Sequence, residues 1–321
     1  MNMKKTKITP IVFMILGLFI ILSGCNKKEP VEKEPVKEPV EKVEDVDKEE
    51  VDKDKVMKDF DDITVKNNTD EIIGFIDEKI NKLSTIEGDK MISDLEDNLE
   101  KGLKSQTDNL LKLDSNEELI QISNELFFPE DKIKDIKDEK LREEVERLFN
   151  NKYKLINVEA EYYPIIDYEK LKKYNDNISP EFKDYIAIKA LDSNMPVAID
   201  GGLYINHEDL ADRILKTEEF LQKYSGGQRQ EEMLKEYRNK LSIYMIGIPN
   251  TPIANRDTNK IDYDILKSYK KVADVKDSVT AFIMRKYINI IEENEFIIND
   301  VVKESTLSLI NESISLLEAN K

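Results

Sequence analysis

Leu234-Lys235-Glu236-Tyr237-Arg238-Asn239-Lys240-Leu241-Ser242-Ile243-Tyr244 is the stretch on which the fold turns. Its apolar residues Leu234, Tyr237, Leu241 and Tyr244 recur at three and four positions, the spacing that lines up one face of an α-helix. The same spacing returns at Val279, Ile283, Tyr287 and Ile290, and again at Val302, Leu309 and Leu316. Upstream it appears at Ile72, Ile76, Ile80 and Leu83, and at Ile92, Leu95, Leu99 and Leu103. Pro129 opens an expected helix with Ile133, Leu141, Val145 and Leu148 inside, interrupted by Lys137. Ser179-Pro180 has the order of an N-cap followed by a first-turn proline. Asn206 is placed to cap a further helix carrying Leu210, Ile214, Thr217 and Leu221 inward.

One segment departs from this period. In Ile156-Asn157-Val158-Glu159-Ala160-Glu161-Tyr162 the apolar and polar residues alternate, as in a half-buried strand. Val197–Ile199 and Leu203–Ile205, around Asp200-Gly201-Gly202, allow a small hairpin. The expected fold class is therefore mainly α, a helical bundle or a stack of helical hairpins, with at most a minor β element near 155–205. We expect an N-terminal helical region over 57–150 and a C-terminal, mainly helical domain over 151–321.

Residues 25–56 have another composition. Glu-Pro-Val recurs at Glu29, Glu34 and Glu38, followed by alternating Lys, Glu and Asp with isolated valines. Proline excludes a regular helix or a central strand, and so little apolar surface cannot offset the entropy of ordering. The segment reads as a disordered linker. At ~3.1 Å per residue it reaches up to about 90 Å.

Ahead of it, Lys4, Lys5 and Lys7 precede an uncharged apolar run from Ile8 to Ile21, and Ser23-Gly24 are small. These are the three parts of a secretory signal peptide over 1–24. The run is shorter than the ~20 residues of a permanent spanning helix. Leu22-Ser23-Gly24-Cys25 resembles the lipobox of bacterial lipoproteins. The resemblance implies a diacylglyceryl thioether on Cys25, cleavage after Gly24 by signal peptidase II, and a lipid anchor at the extracytoplasmic face of the cell membrane. Two acyl chains anchor stably where one does not. Cys25 is the only cysteine, so no intramolecular disulfide can form.

The formal charge of −18 argues against nucleic acid as a partner and against anionic membrane surfaces. Envelope proteins remain as the expected partners. In the C-terminal part, Leu215, Leu234, Tyr237 and Leu241 find counterparts in Ile265, Met284, Tyr287 and Ile291 at a spacing of about 50 residues. This resembles helix-turn-helix units of the tetratricopeptide type, without their period of about 34 residues or their fixed small residues.

Few residues carry assignable chemistry. Ser225-Gly226-Gly227-Gln228-Arg229-Gln230 resembles the signature sequence of ATP-binding cassette ATPases. No phosphate-cradling G-x-x-x-x-G-K-[ST] loop accompanies it, so it reads as a turn and no nucleotide is expected. His207, the sole histidine, has no cysteine or second histidine with which to build a zinc site and reads as a first-turn surface residue. Asp59, Asp61 and Asp62, or Asp257, Asn259 and Asp262, lack the glycine and glutamate positions of an EF-hand. No metal, no cofactor and no catalytic residue is expected. Tyr162, Tyr163, Tyr168, Tyr174 and Tyr185 cluster, and tyrosine-rich surfaces favour recognition, which makes them the candidate binding surface. The leading reading is a lipid-anchored helical body that binds or scaffolds. The alternatives are a transporter's solute-binding lipoprotein and a surface hydrolase that uses carboxylates alone.

Overall fold

A computed structural model describes residues 52–319. Cys25, Gly24, the signal peptide and the linker up to Val51 lie outside them. The N-terminal layer is α1 (Lys53–Thr64), α2 (Thr69–Lys79), the long α3 (Thr85–Leu113), the short α4 (Glu118–Ile122) and α5 (Glu139–Asn150). Then β1 (Tyr153–Val158) and β2 (Glu161–Ile166) form a hairpin, followed by α6 (Tyr168–Leu171) and α7 (Pro180–Asn194). A second hairpin, β3 (Ala198–Ile199) with β4 (Gly202–Leu203), precedes α8 (His207–Lys223) and α9 (Gln230–Ile246). A third, β5 (Gly247–Ile248) with β6 (Thr251–Pro252), precedes α10 (Tyr263–Ala273) and α11 (Val279–Glu293), and α12 (Asp300–Ala319) closes the body. Among the described residues no helix is long and apolar enough to cross a membrane.

The mainly helical class expected from the periodicity is what the described residues adopt, with β structure limited there to three two-stranded hairpins and a few isolated bridges such as Phe127 to Ile156. The strand at 156–162 is corrected in extent. Glu159 and Ala160 both have positive φ, so the chain reverses there, and Ile156 pairs with Tyr163 rather than continuing towards it. The helix expected from Pro129 is also corrected. A 3-10 segment ends at Asp135, and a new helix starts after Asp138, whose side chain accepts from Leu141 N. Lys137 is no interruption of an inner face: its amide donates to Glu118 at the break. In α11 and α12 Ile291 and Leu317 are buried, one residue beyond the expected Ile290 and Leu316, which are only half-buried.

The structure reveals a recurring unit: hairpin, helix, helix. Each first helix opens on a similar local pattern, Ile, then Asp or Asn, with an acid two residues on and Leu two further. These are Ile166-Asp167-Tyr168-Glu169-Lys170-Leu171, Ile205-Asn206-His207-Glu208-Asp209-Leu210 and Ile261-Asp262-Tyr263-Asp264-Ile265-Leu266. The Asp or Asn is the N-cap, and its side chain accepts from the first-turn amides at Asn206 and Asp262. The Ile before it is buried each time. The counterparts spaced about 50 residues apart, Tyr237 with Tyr287 and Leu241 with Ile291, occupy α9 and α11 and are all buried. Adjacent hairpins bond to each other: Asn250 N donates to Gly201 O at 2.8 Å and Leu203 N to Thr251 Oγ1 at 3.0 Å.

One hydrophobic cluster runs from Phe60 to Leu317 and includes residues on both sides of position 150. Without tryptophan, tyrosine supplies its bulk. A buried phenol must also place its hydroxyl. Tyr153 donates to Leu99 O, Tyr269 to Tyr244 O and Tyr287 to Met245 O, at 2.7, 2.6 and 2.8 Å. Burial pushes the Tyr153 and Tyr287 phenols up to about 12.

Helix starts inside such a body leave amides without intrahelical partners. Acids from earlier helices supply acceptors. Asp89 of α3 accepts from Ser179 N ahead of α7 at 2.8 Å, and Glu181 of α7 accepts from Arg229 N ahead of α9 at 2.9 Å. Glu218 of α8, only 2% exposed, accepts from Val279 N, Thr280 N and both the Ser278 and Thr280 hydroxyls at the start of α11. Next to Asp89, Gly88 lets the Asn177 carbonyl approach: a Cβ there would overlap that oxygen. Gly88→Ala should therefore lower stability by about 1–3 kcal/mol, despite the ~1 kcal/mol that alanine gains in an unhindered helix. Urea unfolding monitored by circular dichroism checks this; an equal or higher midpoint would show that the approach of α3 to the Asn177 segment ahead of α7 has slack.

Candidate functional site

Three helices present polar side chains at helical spacing to one another. On α7 these are Tyr185, Lys189 and Asp192; on α9 and its N-cap they are Arg229, Glu232, Glu236 and Lys240; on α3 they are Glu96 and Glu100. Each set repeats every three or four residues and so forms a stripe. The α9 stripe lies beside the apolar one through Leu234, Tyr237 and Leu241, so α9 is buried along two faces.

Glu96 sits at the centre and is 3% exposed. Its Oε1 accepts from the Tyr168 hydroxyl at 2.5 Å and from the Tyr185 hydroxyl, and its Oε2 accepts from Arg229 Nη2 at 2.7 Å. Glu232 accepts from Lys189 and Arg229 at 3.0 and 3.3 Å and shares the single Tyr185 hydroxyl proton with Glu96, its Oε1 lying 2.6 Å from that oxygen. Lys189 also reaches Glu236 at 3.2 Å. Lys240 joins Glu236 to Asp192, and Arg213 of α8 closes the chain on Asp192 at 2.8 Å. Arg229 further stacks on Phe182 and Tyr185, 4.7 and 4.6 Å from the ring centres, an arrangement suited to a planar guanidinium.

The electrostatics follow from burial and charge. Burial pushes the Glu96 carboxyl above the usual range, against the pull of Arg229 and the two tyrosine hydroxyls. Glu100, at the outer edge, is raised for the same reason. Burial would lower Lys189, but Glu236 and Glu232 outweigh it and hold the ammonium above its ordinary value. Glu236 goes the other way, because Lys240 and Lys189 overcome its burial. Tyr168 and Tyr185 rise strongly by burial and by the adjacent Glu96 carboxylate, so they stay protonated donors.

Glu96, Glu100 and Glu232 bring carboxylate oxygens within 4.8 Å of one another. That is a spacing a metal ion accepts, yet Arg229 and Lys189 already supply positive charge to Glu96 and Glu232. For acid–base hydrolysis the same geometry is unfavourable. Glu96 is 3% exposed and its oxygens are taken by Tyr168, Tyr185 and Arg229. The arrangement bonds side chains of α3, α7 and α9 to one another across the helix contacts.

The tyrosines expected as a binding surface are placed inside. Tyr162 and Tyr185 are 1% exposed, Tyr174 2% and Tyr168 6%, so they are corrected from surface to core. Tyr162 donates to Ser123 O and Glu125 O, and Tyr174 to Asp77. Tyr163 alone is half-buried, with its hydroxyl on Glu161. The flanking prolines and dense phenols marked a packed junction rather than a groove. Ser225-Gly226-Gly227 is a turn, with Gly226 at φ 76; Gly227 lies where any Cβ would collide with the Glu181 carboxylate.

His207 is corrected too. It is the first residue of α8, but its ring is half-buried, tilted over Tyr244 with centroids 5.5 Å apart. Its Nε2 is buried without a hydrogen-bond partner. One cavity of 400 Å³ lies between α1 and α3, and others flank α8. Between α7 and α8 lie cavities of 240 and 480 Å³, the larger beside Leu191, Met195, Asp212 and Arg213. Between α8 and α10 lie cavities of 390 and 110 Å³.

Compared with known proteins, the chain matches no family model, and neither a curated protein nor a solved structure is significantly similar to it. Removing one partner of a buried pair leaves the other charge stranded. Arg229→Met should cost about 3–5 kcal/mol, and adding Glu96→Leu to it should restore much of the loss. A four-member mutant cycle in urea checks this; strictly additive losses would mean that Glu96 and Arg229 do not act as a pair.

Proposed function

We propose that the protein is a lipid-anchored lipoprotein of the extracytoplasmic membrane face, whose helical body binds or scaffolds an envelope partner. The observation that carries the reading is Leu22-Ser23-Gly24-Cys25, directly after the basic residues and the apolar run. Acylation of Cys25 and cleavage after Gly24 follow from it. The acidic, proline-bearing segment behind the cysteine then serves as the spacer that carries the body.

The body suits a binding role better than a catalytic one. Its densest titratable cluster is saturated by its own cations and tyrosine hydroxyls, whereas α8 is flanked by open grooves with exposed Leu191 and Met195 on one wall. The binding face is accordingly proposed along α7, α8 and α10. Two-stranded hairpins set in a helical body depart from the two-lobed α/β form expected of a transporter's solute receptor, which favours the first reading over that one.

Cys25→Ala tests the anchor. The variant should lose incorporation of labelled fatty acid, accumulate as the uncleaved precursor, and leave processing after Gly24 undetectable by mass spectrometry. A variant that is still acylated and cleaved would exclude the lipoprotein reading.

A further inference from the structure

His207 occupies an unusual position for a titratable group. It follows the N-cap Asn206, so its ring stands at the positive end of the α8 dipole. Its ring leans on Tyr244, and Tyr244 is itself tied to α10 twice: its hydroxyl pairs with Ser268 Oγ at 2.7 Å, and its carbonyl accepts from Tyr269 at 2.6 Å. The ring thus packs where α8, α9 and α10 meet, and it lines the 390 Å³ cavity between α8 and α10. The buried Nε2 has no partner. A neutral ring tolerates that, because one nitrogen of neutral imidazole is a bare acceptor. In the imidazolium both nitrogens carry protons, and a buried N–H without an acceptor is costly.

We propose that His207 is a proton-operated latch on the α8–α10 groove, closed against Tyr244 when neutral and displaced towards the groove mouth when protonated. The groups facing it set the direction. From α8 this is Glu208; from α9, the uncharged Tyr244; from α10 and its cap, Asp262, Asp264 and Lys267. Glu208 is engaged by Lys271 at 3.6 Å. Asp262 is committed to the Asp264 and Ile265 amides as the α10 cap. A cationic ring therefore either leaves for solvent and the open carboxylates or draws Asp262 off the α10 cap. Both movements loosen the first turns of α8 and α10.

Burial holds the imidazole below its ordinary value of 6.5, and the Asp262 field offsets this only in part. A depressed imidazole favours the folded, closed form while it is neutral. The closed form is thus fully stable above 6.5 and is weakened as the pH falls from there through the folded-state value.

The latch is independent of where the protein resides, and its test uses the full chain. With one histidine, the imidazole gives a single Cε1–H resonance. Its midpoint should fall below 6.5, the ordinary value. Between about pH 7.5 and about pH 5, amide exchange at the starts of α8 and α10, corrected for intrinsic rate, should rise about ten-fold while the start of α5 stays unchanged. His207→Phe and His207→Gln should abolish the rise. A midpoint at or above 6.5, no local rise in the native chain, or the same rise in either folded variant would overturn the proposal. If neither variant folds, the native titration and its exchange map decide alone.

Discussion

A carboxylate lent by one helix to the start of another is the interaction on which this body depends. Every buried helix start brings amides that water cannot reach, and each needs an acceptor. Asp89, Glu181 and Glu218 supply them across the stack, from α3 to α7, from α7 to α9 and from α8 to α11. The caps act on geometry as much as on energy. A carboxylate that reaches a foreign helix start fixes how far the two helices can slide and where the second one begins. Glu118 makes the same move at the break before α5, where its two oxygens take the Lys137 and Asp138 amides.

This changes what the acidic composition means. A chain of charge −18 reads as a solvated surface, and much of it is. Yet Asp89, Glu96 and Glu218 are each at most 3% exposed, and each is held by specific donors. An apolar replacement at such a site would leave those donors without their acceptor. The Glu96–Arg229 pair with Tyr168 and Tyr185 joins the N-terminal layer to α7 and α9 through side chains that accept only one alignment. Tyrosine serves both needs, since its ring fills the core and its hydroxyl completes the polar network.

The apolar stripes were legible because their period follows directly from helix geometry, and Ser179, Asn206 and Pro180 were legible because caps are local. The hairpin at 153–166 was half legible. Its alternation was visible, but the reversal at Glu159-Ala160 uses residues without the usual turn chemistry, neither Asn-Gly nor Asp-Gly. The tyrosines misled because local density cannot tell a surface from a core; Tyr168 and Tyr185 are held by Glu96 of α3, and Tyr174 by Asp77 of α2, all more than 70 residues distant in sequence. His207 misled for the same reason, since Tyr244 reaches it from another helix. The polar stripe at 229, 232, 236 and 240 was in principle readable. Helical spacing of charges ordinarily marks a solvated face, and only the facing stripe at 185, 189 and 192 shows otherwise.

The absence of thiol chemistry gives these contacts more weight. The sole cysteine stands at position 25, outside the described body, so no disulfide restrains the chain between 52 and 319. A body without such a staple must draw its cooperativity from contacts that span distant segments. The hydrophobic cluster provides most of the driving force, but it is degenerate, because Ile, Leu and Met fill it interchangeably at small cost. The cross-helix carboxylates are not degenerate: shifting any one by a helical turn strands both an acid and a helix start. Specificity in this fold therefore resides with its buried acids, and its bulk stability with its aliphatic and tyrosine core. A body built that way keeps one arrangement of helices, which is what any surface along α8 requires if it is to present the same groove to a partner each time.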